Sequence, residues 1–410
     1  MITLGASNIN TLDQIYPLIP EKDLGRLAKL FCREQVMALT NQKSSLPMIL
    51  NPIAKITPSN GFGVTVAIGG TNGYVSAFRI YKGKKIKFLN RKIFALPVYT
   101  SKEKLFRLIA ENIFQVTKNK KKDFPIGIGL AYPLKPMLIN NILDGELLSV
   151  TKGRQIEGLV GKKVGQEFHK FLIKEYGVDT TVVVANDAIC LLLGGDGTEV
   201  VGIVGTGLNF AYWQKRFAIA PLKLGELSGF GQGEVAVNIE SGDFDQVEGT
   251  KLRKVIDQKS DDPGRSLAEK ETAGAYLYQI FNAGKEEILS KNFPDLSSTD
   301  QLNDILTRAY NYPTNIDKAI KDKAYLFTER IFHRSAQIVA IELCGILFKI
   351  SKTRGIVPIV MEGGVFWKAK NYPSLVNLYI NMILPEIIPS FARLFGSSRR
   401  GIAILAKSTY

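Results

Sequence analysis

Histidine and cysteine are scarce in this chain: two histidines (His169 and His333) and three cysteines (Cys32, Cys190 and Cys344) among 410 residues. No cysteine pair has the spacing of a zinc site or a disulfide framework, and each stands in an apolar or helical setting, as buried thiols in a reducing compartment do. Both histidines fall in helical patterns, which argues against histidine chemistry and a histidine-built metal centre. No basic stretch followed by an apolar run opens the sequence, so no leader peptide is expected. The most apolar helical stretch, around Ile338 to Phe348, is interrupted by Glu342 and reads as too short to span a bilayer. The expectation is a soluble, cytoplasmic protein with no membrane partner.

Positive charge is what the sequence has in excess, with 53 Lys and Arg against 38 Asp and Glu, a net of +15. Such a balance favours anionic partners: nucleotide, phosphorylated metabolite, nucleic acid or an acidic surface. No helix-turn-helix, zinc or aromatic-stacking signature accompanies it, so nucleic acid is not expected. The densest cluster, Lys118 to Lys122, follows a predicted helix and reads as a solvated loop. A hydrophobic content of 45% with 22% charged residues is globular, and the length admits domains of roughly 100–200 residues each.

Helical periodicity runs over 10–43, and 51–61 reads as a linker rich in Pro, Asn, Ser and Gly. Strands are predicted at 62–68, 74–81 and 86–96. A helix to about 116 follows from a capping box at Thr100 and Glu103, then a strand at 125–131, a helix at 161–175 and a strand at 181–184. A second round has strands at 200–204 and 210–214 and a helix over 265–281 after Pro263-Gly264. An irregular stretch over 284–323, a long helix over 325–350, a strand at 356–361 and further helix complete it.

The two rounds echo one another. Gly69-Gly70-Thr71-Asn72 and Gly205-Thr206-Gly207 each sit between two predicted strands. Backbone can approach a polyphosphate closely only where no Cβ intervenes and free N–H groups face the oxygens, and both turns meet that need. Either one alone is equally a tight hairpin turn. Neither is a Walker loop, because no Gly-Lys-Ser/Thr follows, and neither opens a Rossmann helix. Two similar halves with such turns suggest a nucleotide held between domains.

Taken in order, "IGGTN" at 68–72, "TKG" at 151–153 with "IEGLVGKKV", "ANDA" at 185–188, "GIVGTGLN", "NIESGDFD" at 238–245, "PGRSLAEKETAGAYL" at 263–277 and "VMEGGVFWKAKNYPSL" resemble the hexokinase family. The likeness runs from about residue 61 to the end and is weak over 284–323. It implies an α/β chain with the two-domain ribonuclease H-like fold of actin, sugar kinases and Hsp70, with an interdomain cleft. The implied division is 1–60 as an N-terminal helix and linker, 61–186 as the small domain to which the C-terminal segment returns, and 187–410 as the large domain. The implied activity is phosphoryl transfer from ATP, with Mg²⁺, to a hexose. Asp187 is then the general base and a sugar contact, with Asn186 beside it on the sugar, and Thr151 and Lys152 contact the sugar, Lys152 also facing the transferring group. Asn209, Glu240 and Glu269 hold sugar hydroxyls. Gly69, Gly70, Thr71, Asn72, Gly205, Thr206 and Gly207 hold phosphates, and Gly363 and Gly364 lie near adenosine.

The chemistry agrees with these residue types. A sugar hydroxyl is a poor nucleophile and needs a carboxylate to take its proton, whereas an Asp before Ala188 could equally be a helix N-cap. A lysine facing the transferring group offsets developing charge, and several carboxylates and amides suit a polyhydroxylated ligand. Glu240 and Glu269 could equally be ordinary surface acids.

Some positions depart from the family pattern. Ala67 replaces an Asp, Tyr74 a phosphate-contacting Arg, Ala131 a sugar-contacting Ser and Glu362 an Asp, while "SRRG" at 398–401 stands for Ser-Gly-Lys-Gly. The alternative reading is therefore a non-catalytic or weakly catalytic sugar or nucleotide sensor. The repressor-type sugar kinases need a His/Cys zinc cluster that these scattered cysteines cannot supply.

Overall fold

The computed structural model describes residues 6–53, 58–82, 85–118, 123–150, 154–225, 227, 233–394 and 396–408, with backbone alone for 6–10. By its internal contacts the chain forms two compact units. The first comprises 1–47, 203–209 and 240–391; the second comprises 48–202, 210–239 and 392–410. The division expected at 186/187 falls inside the second unit, because the helix Asp187–Gly194 packs on that unit's own elements.

In the second unit a five-stranded sheet has the order Val182–Asn186, Ile126–Leu130, Gly61–Ile68, Asn72–Ile80 and Ile86–Ala95. The first three strands are parallel and the last two antiparallel. Ile126–Leu130 and Val182–Asn186 are buried at every position. They read as uninterrupted small and apolar runs because both faces of the sheet are covered. Ile126, Ile128 and Leu130 join a core with Phe106, Ile109 and Ile113 of the helix Lys102–Thr117. Gly127 and Gly129 alternate to the opposite face and admit Ile402 of the helix Ser397–Ala406. That helix also meets Asp187–Gly194 backbone against backbone. A Cβ on Gly401 would lie 1.7 Å from the Cys190 oxygen, and one on Gly194 would lie 1.8 Å from the Ser397 oxygen. Ile86–Ala95 is the outermost strand, and its exposed Lys87, Arg91 and Lys92 guard the open edge.

The first unit is mainly helical, and its longest element is Lys318–Lys349, capped by Asp317, whose Oδ1 accepts the Ile320 N–H at 2.8 Å. At 32 residues this helix is not too short to cross a membrane, as its apolar centre suggested. Its hydropathy of 1.4 also passes that test, but 89% of the apolar window is buried within the structure. Buried Arg334 on this helix forms a two-pronged pair with fully buried Glu271 at 2.9 and 3.1 Å and donates to the Pro17 oxygen at 2.9 Å. An ion pair out of water is tolerated when its remaining donors are satisfied in this way.

Several expectations from sequence are corrected. The helix predicted over 265–281 begins only at Leu277 and runs to Ile288. Buried Lys270 takes the carbonyl oxygens of Asp262 and Arg265 at 3.0 and 2.8 Å and the Asp257 carboxylate at 2.7 Å, so Arg265 O serves an ammonium and not a helix N–H. The stretch 284–323 is not irregular: it contains the end of that helix, the helix Thr299–Thr307 and the start of the long one. The cap of Lys102–Thr117 is Ser101, whose Oγ accepts from Lys104 N at 3.3 Å, while Thr100 lies in a short strand. A strand, Ile387–Ala392, interrupts the C-terminal helices. An unanticipated hairpin pairs Leu134–Ile139 with Ile142–Leu147 through Asn140-Asn141, at φ 49° and 61°. A two-residue type I′ turn needs that left-handed backbone at both positions, and Asn tolerates it.

Candidate active site

The parallel strands of the second unit bring its site residues to one edge. Ile68 and Asn186 are each registered with Leu130 on the strand between them. The turn Gly69–Asn72, Ala131 and Asp187 therefore emerge side by side from the carboxyl ends of neighbouring strands, where open α/β sheets bind ligands. Two strand spacings separate Asp187 from the glycine turn, about 10 Å. The turn is closed by the Gly69 N–H to the Asn72 oxygen at 3.0 Å, and its Thr71 is exposed.

Asn186 and Asp187 divide the work at the start of their helix. The buried Asn186 is the N-cap: its Oδ1 accepts the Ala188 N–H at 2.9 Å and its Nδ2 donates to the Tyr132 oxygen at 3.3 Å. The capping role that sequence allowed for Asp187 thus belongs to its neighbour. Asp187 is half-buried in the first turn, and its Oδ1 also accepts the Ala188 N–H, at 2.8 Å. A first-turn carboxylate faces the positive end of the helix dipole. Thr151 and Lys152 lie outside the described residues.

Ala67 and Tyr74, the first two departures from the family pattern, are direct cross-strand partners in the hairpin Gly61–Ile68/Asn72–Ile80. Residues so paired share a face of the sheet. The two positions where the resemblance implies an acid and a cation thus lie at one spot and carry an alanine and a tyrosine.

The first unit collects the remaining residues around its own glycine turn. Gly205 N–H donates to the Gly207 oxygen at 2.9 Å, and the Gly205 and Thr206 oxygens accept from Gly274 and Ala275 N–H at 2.7 and 3.3 Å. A Cβ on Gly363, whose φ is 112°, would lie 2.2 Å from the Val204 oxygen, and one on Gly205 would lie 3.0 Å from Gly363 Cα. Backbones this close exclude any side chain, so the turn at 205–207 and the segment at 363–364 are packed as one piece. Gly364 is exposed, with open space where a Cβ would stand.

Asn209, Glu240 and Glu269 come together beside that turn. Glu269 Oε2 accepts the Leu208 N–H at 2.9 Å, and Asn209 Oδ1 accepts the Ser241 N–H at 3.4 Å. The Ala268 N–H donates to the Gly242 oxygen at 3.0 Å. Glu240 has left-handed backbone, φ 54° and ψ 53°. A non-glycine residue held there costs about 1–3 kcal/mol, and such strain collects at functional sites.

Sequence reasoning passed over three residues here. Ser241 follows Glu240 directly. Glu342, interior to the long helix, is fully buried, and neither of its oxygens has a hydrogen-bond partner among the described residues. It faces Ser241 and Glu269, and burial holds its carboxyl well above the usual range, the Ser241 hydroxyl working against the rise and Glu269 adding to it. Its only signal was a lone acid in an apolar helix. Arg154, next after Thr-Lys-Gly, donates Nε to the Gly70 oxygen and Nη1 to the Leu96 oxygen, each at 2.5 Å. Among the described residues, no group of three or more His, Cys, Asp or Glu side chains could hold a metal ion.

Two family models, both described as hexokinase, match residues 16–196 and 199–284. The chain belongs to the hexokinase family. Hexokinase-2 of Rattus norvegicus is 24% identical over 99% of this chain and 49% of its own length. Hexokinase-2 of Solanum tuberosum is 27% identical over 95% of this chain and 88% of its own length. The chain thus spans about half the length of the rat hexokinase it matches. The solved hexokinase of Schistosoma mansoni, complexed with glucose, aligns with a TM-score of 0.85 at 21% identity, covering 97% of this chain and 98% of that one. The hexokinase fold, of the actin and sugar-kinase type, is therefore the fold of this chain.

Proposed function

We propose that this chain transfers the terminal phosphoryl group of ATP to the 6-hydroxyl of a glucose-like hexose. Asp187 takes the hydroxyl proton as the new O–P bond forms and the bond to the departing ADP breaks, giving hexose 6-phosphate. The observation that carries the reading is the shared strand edge of Asp187 and the glycine turn Gly69–Asn72, set by the register of Ile68 and Asn186 on Leu130. A base must reach the hydroxyl while the phosphates are held nearby, and catalysis of this transfer is mostly positioning and charge stabilisation.

In this reading Lys152 offsets charge on the transferring group, and Thr151, Lys152, Asn186 and Asp187 contact the sugar. The Asn186 amide is already engaged in its cap, so it acts on the sugar mainly by seating Asp187. Asn209, Glu240 and Glu269 hold further hydroxyls. The turns at 69–72 and 205–207 receive phosphates, and Gly363 and Gly364 border adenosine. Mg²⁺ would arrive on the nucleotide, held by phosphate oxygens and water; Ala67 leaves the first turn without a carboxylate to order that shell. The cytoplasmic setting and the absence of nucleic-acid or membrane partners belong to the same proposal.

A coupled assay with ATP, Mg²⁺ and a panel of hexoses tests it. Turnover by the native chain that Asp187→Ala lowers by about 10² or more supports a base. The sensor reading draws on Ala67, Tyr74 and Ala131, and it wins where sugar binds calorimetrically and neither protein turns it over.

A further inference from the structure

We infer that Arg154 is a positioning residue for nucleotide: its guanidinium holds the Gly70–Thr71 peptide so that the Thr71 N–H is aimed at a phosphate. The inference rests on the reading of 69–72 as a phosphate turn.

Three observations within the second unit carry it. The fork of Arg154 spans two backbone oxygens, Gly70 O through Nε and Leu96 O through Nη1. Leu96 in turn donates its N–H to the Thr71 oxygen at 3.0 Å. The turn is thus braced on both sides of Thr71, by a side chain at one carbonyl and a main chain at the next. Finally, the C=O of one residue and the N–H of the next lie on opposite sides of a trans peptide plane. With Gly70 O drawn to the guanidinium, the Thr71 N–H must point away from it, and Thr71 is exposed. An unbraced glycine peptide can flip, because glycine tolerates both orientations; the arginine removes that freedom.

Arginine suits the task because its planar fork is preorganised for two acceptors, whereas a lysine offers one flexible point charge. The arrangement also has a chemical consequence for the substrate pair. Arg154 lies two positions after Lys152 in the chain. The residue bracing the phosphate turn is thus tied covalently to the segment assigned to the sugar.

The test uses the full chain as native protein, Arg154→Ala and Arg154→Lys, titrated at equilibrium with Mg²⁺ and a non-hydrolysable ATP analogue, and separately with hexose. Loss of a charge-assisted bond predicts analogue affinity weaker by about ten-fold or more in the alanine variant and by less in the lysine variant. Guanidinium ion at millimolar concentration should restore part of the loss in Arg154→Ala alone, which a merely loosened structure would not show. Hexose affinity should stay within about two-fold of native, since Arg154 holds main-chain oxygens of the phosphate turn. Unchanged analogue affinity overturns the inference, as does a parallel loss of hexose affinity or a loss that guanidinium does not relieve. If the alanine variant fails to fold, native-like analogue affinity in Arg154→Lys overturns it equally. A native chain that binds the analogue without phosphorylating any hexose removes the kinase reading and leaves the arginine measured by binding. A native chain that binds no analogue removes both.

Discussion

Glu342 is the residue whose behaviour is easiest to foretell from its surroundings. Its ordinary value is 4.5, and burial raises it in the folded chain. Above that ordinary value the unfolded chain has released a proton that the folded chain still holds, so stability falls as pH rises through the window up to the raised value. Glutamine has the same size and does not titrate. Glu342→Gln should flatten the fall in melting temperature between pH 5 and pH 9 and be the more stable protein at the alkaline end, by at least about 1 kcal/mol. Parallel melting curves for the two proteins would contradict this. Ala67 and Tyr74 invite a different experiment. Restoring Asp at 67 or Arg at 74 alone leaves one unpaired charge on the sheet face, while restoring both rebuilds a cross-strand pair. The double variant should exceed the sum of the singles in stability by about 0.5–3 kcal/mol in a double-mutant cycle. Its turnover should rise above native by up to about 10²–10³ if the lost groups were preorganised for phosphate.

At the level of elements, the contact of helix Ser397–Ala406 with helix Asp187–Gly194 decides where Asp187 stands. Gly401→Ala puts a methyl group onto the Cys190 carbonyl and forces the helices apart. Overpacking of this kind costs about 1–3 kcal/mol. The expected result is a melting temperature lower by about 2–4 °C per kcal/mol, together with a fall in turnover that exceeds any loss of hexose affinity. A variant that melts lower but turns over normally would show that the contact does not seat the carboxylate.

Much of this architecture was legible beforehand. The parallel strands announced themselves as apolar runs, and the glycine turns by strands on either side. The hairpin through Asn140-Asn141 was not legible, because its turn carries no glycine. The helix expected over 265–281 failed because the ammonium of Lys270, five residues on, takes the Arg265 carbonyl oxygen that a helix would use, and backbone propensity does not report that. The cap at Asn186 was legible only to within one position, since either residue of an Asn-Asp pair satisfies the same rule. Arg154 was invisible for a related reason. A basic residue after Thr-Lys-Gly carries no signature until its partners, the carbonyls of Gly70 and Leu96, are seen folded against it.

For the whole molecule, binding and catalysis can be separated by heat. A hexose that binds only the folded chain should add about 2.7 kcal/mol at a hundred times its dissociation constant. Asp187→Ala should keep that thermal shift while losing turnover, and loss of both together would place Asp187 among the groups that hold the sugar. The net charge of +15 should make association with the nucleotide fall as salt rises and leave hexose binding nearly unmoved. The backbone contact at Gly401 has one more consequence, in the order of synthesis. Asp187 is made well before the helix Ser397–Ala406, so during synthesis its own helix lacks that support until residues 397–406 emerge. Cutting the chain before Ser397 should therefore lower turnover while leaving every residue assigned to the sugar in place.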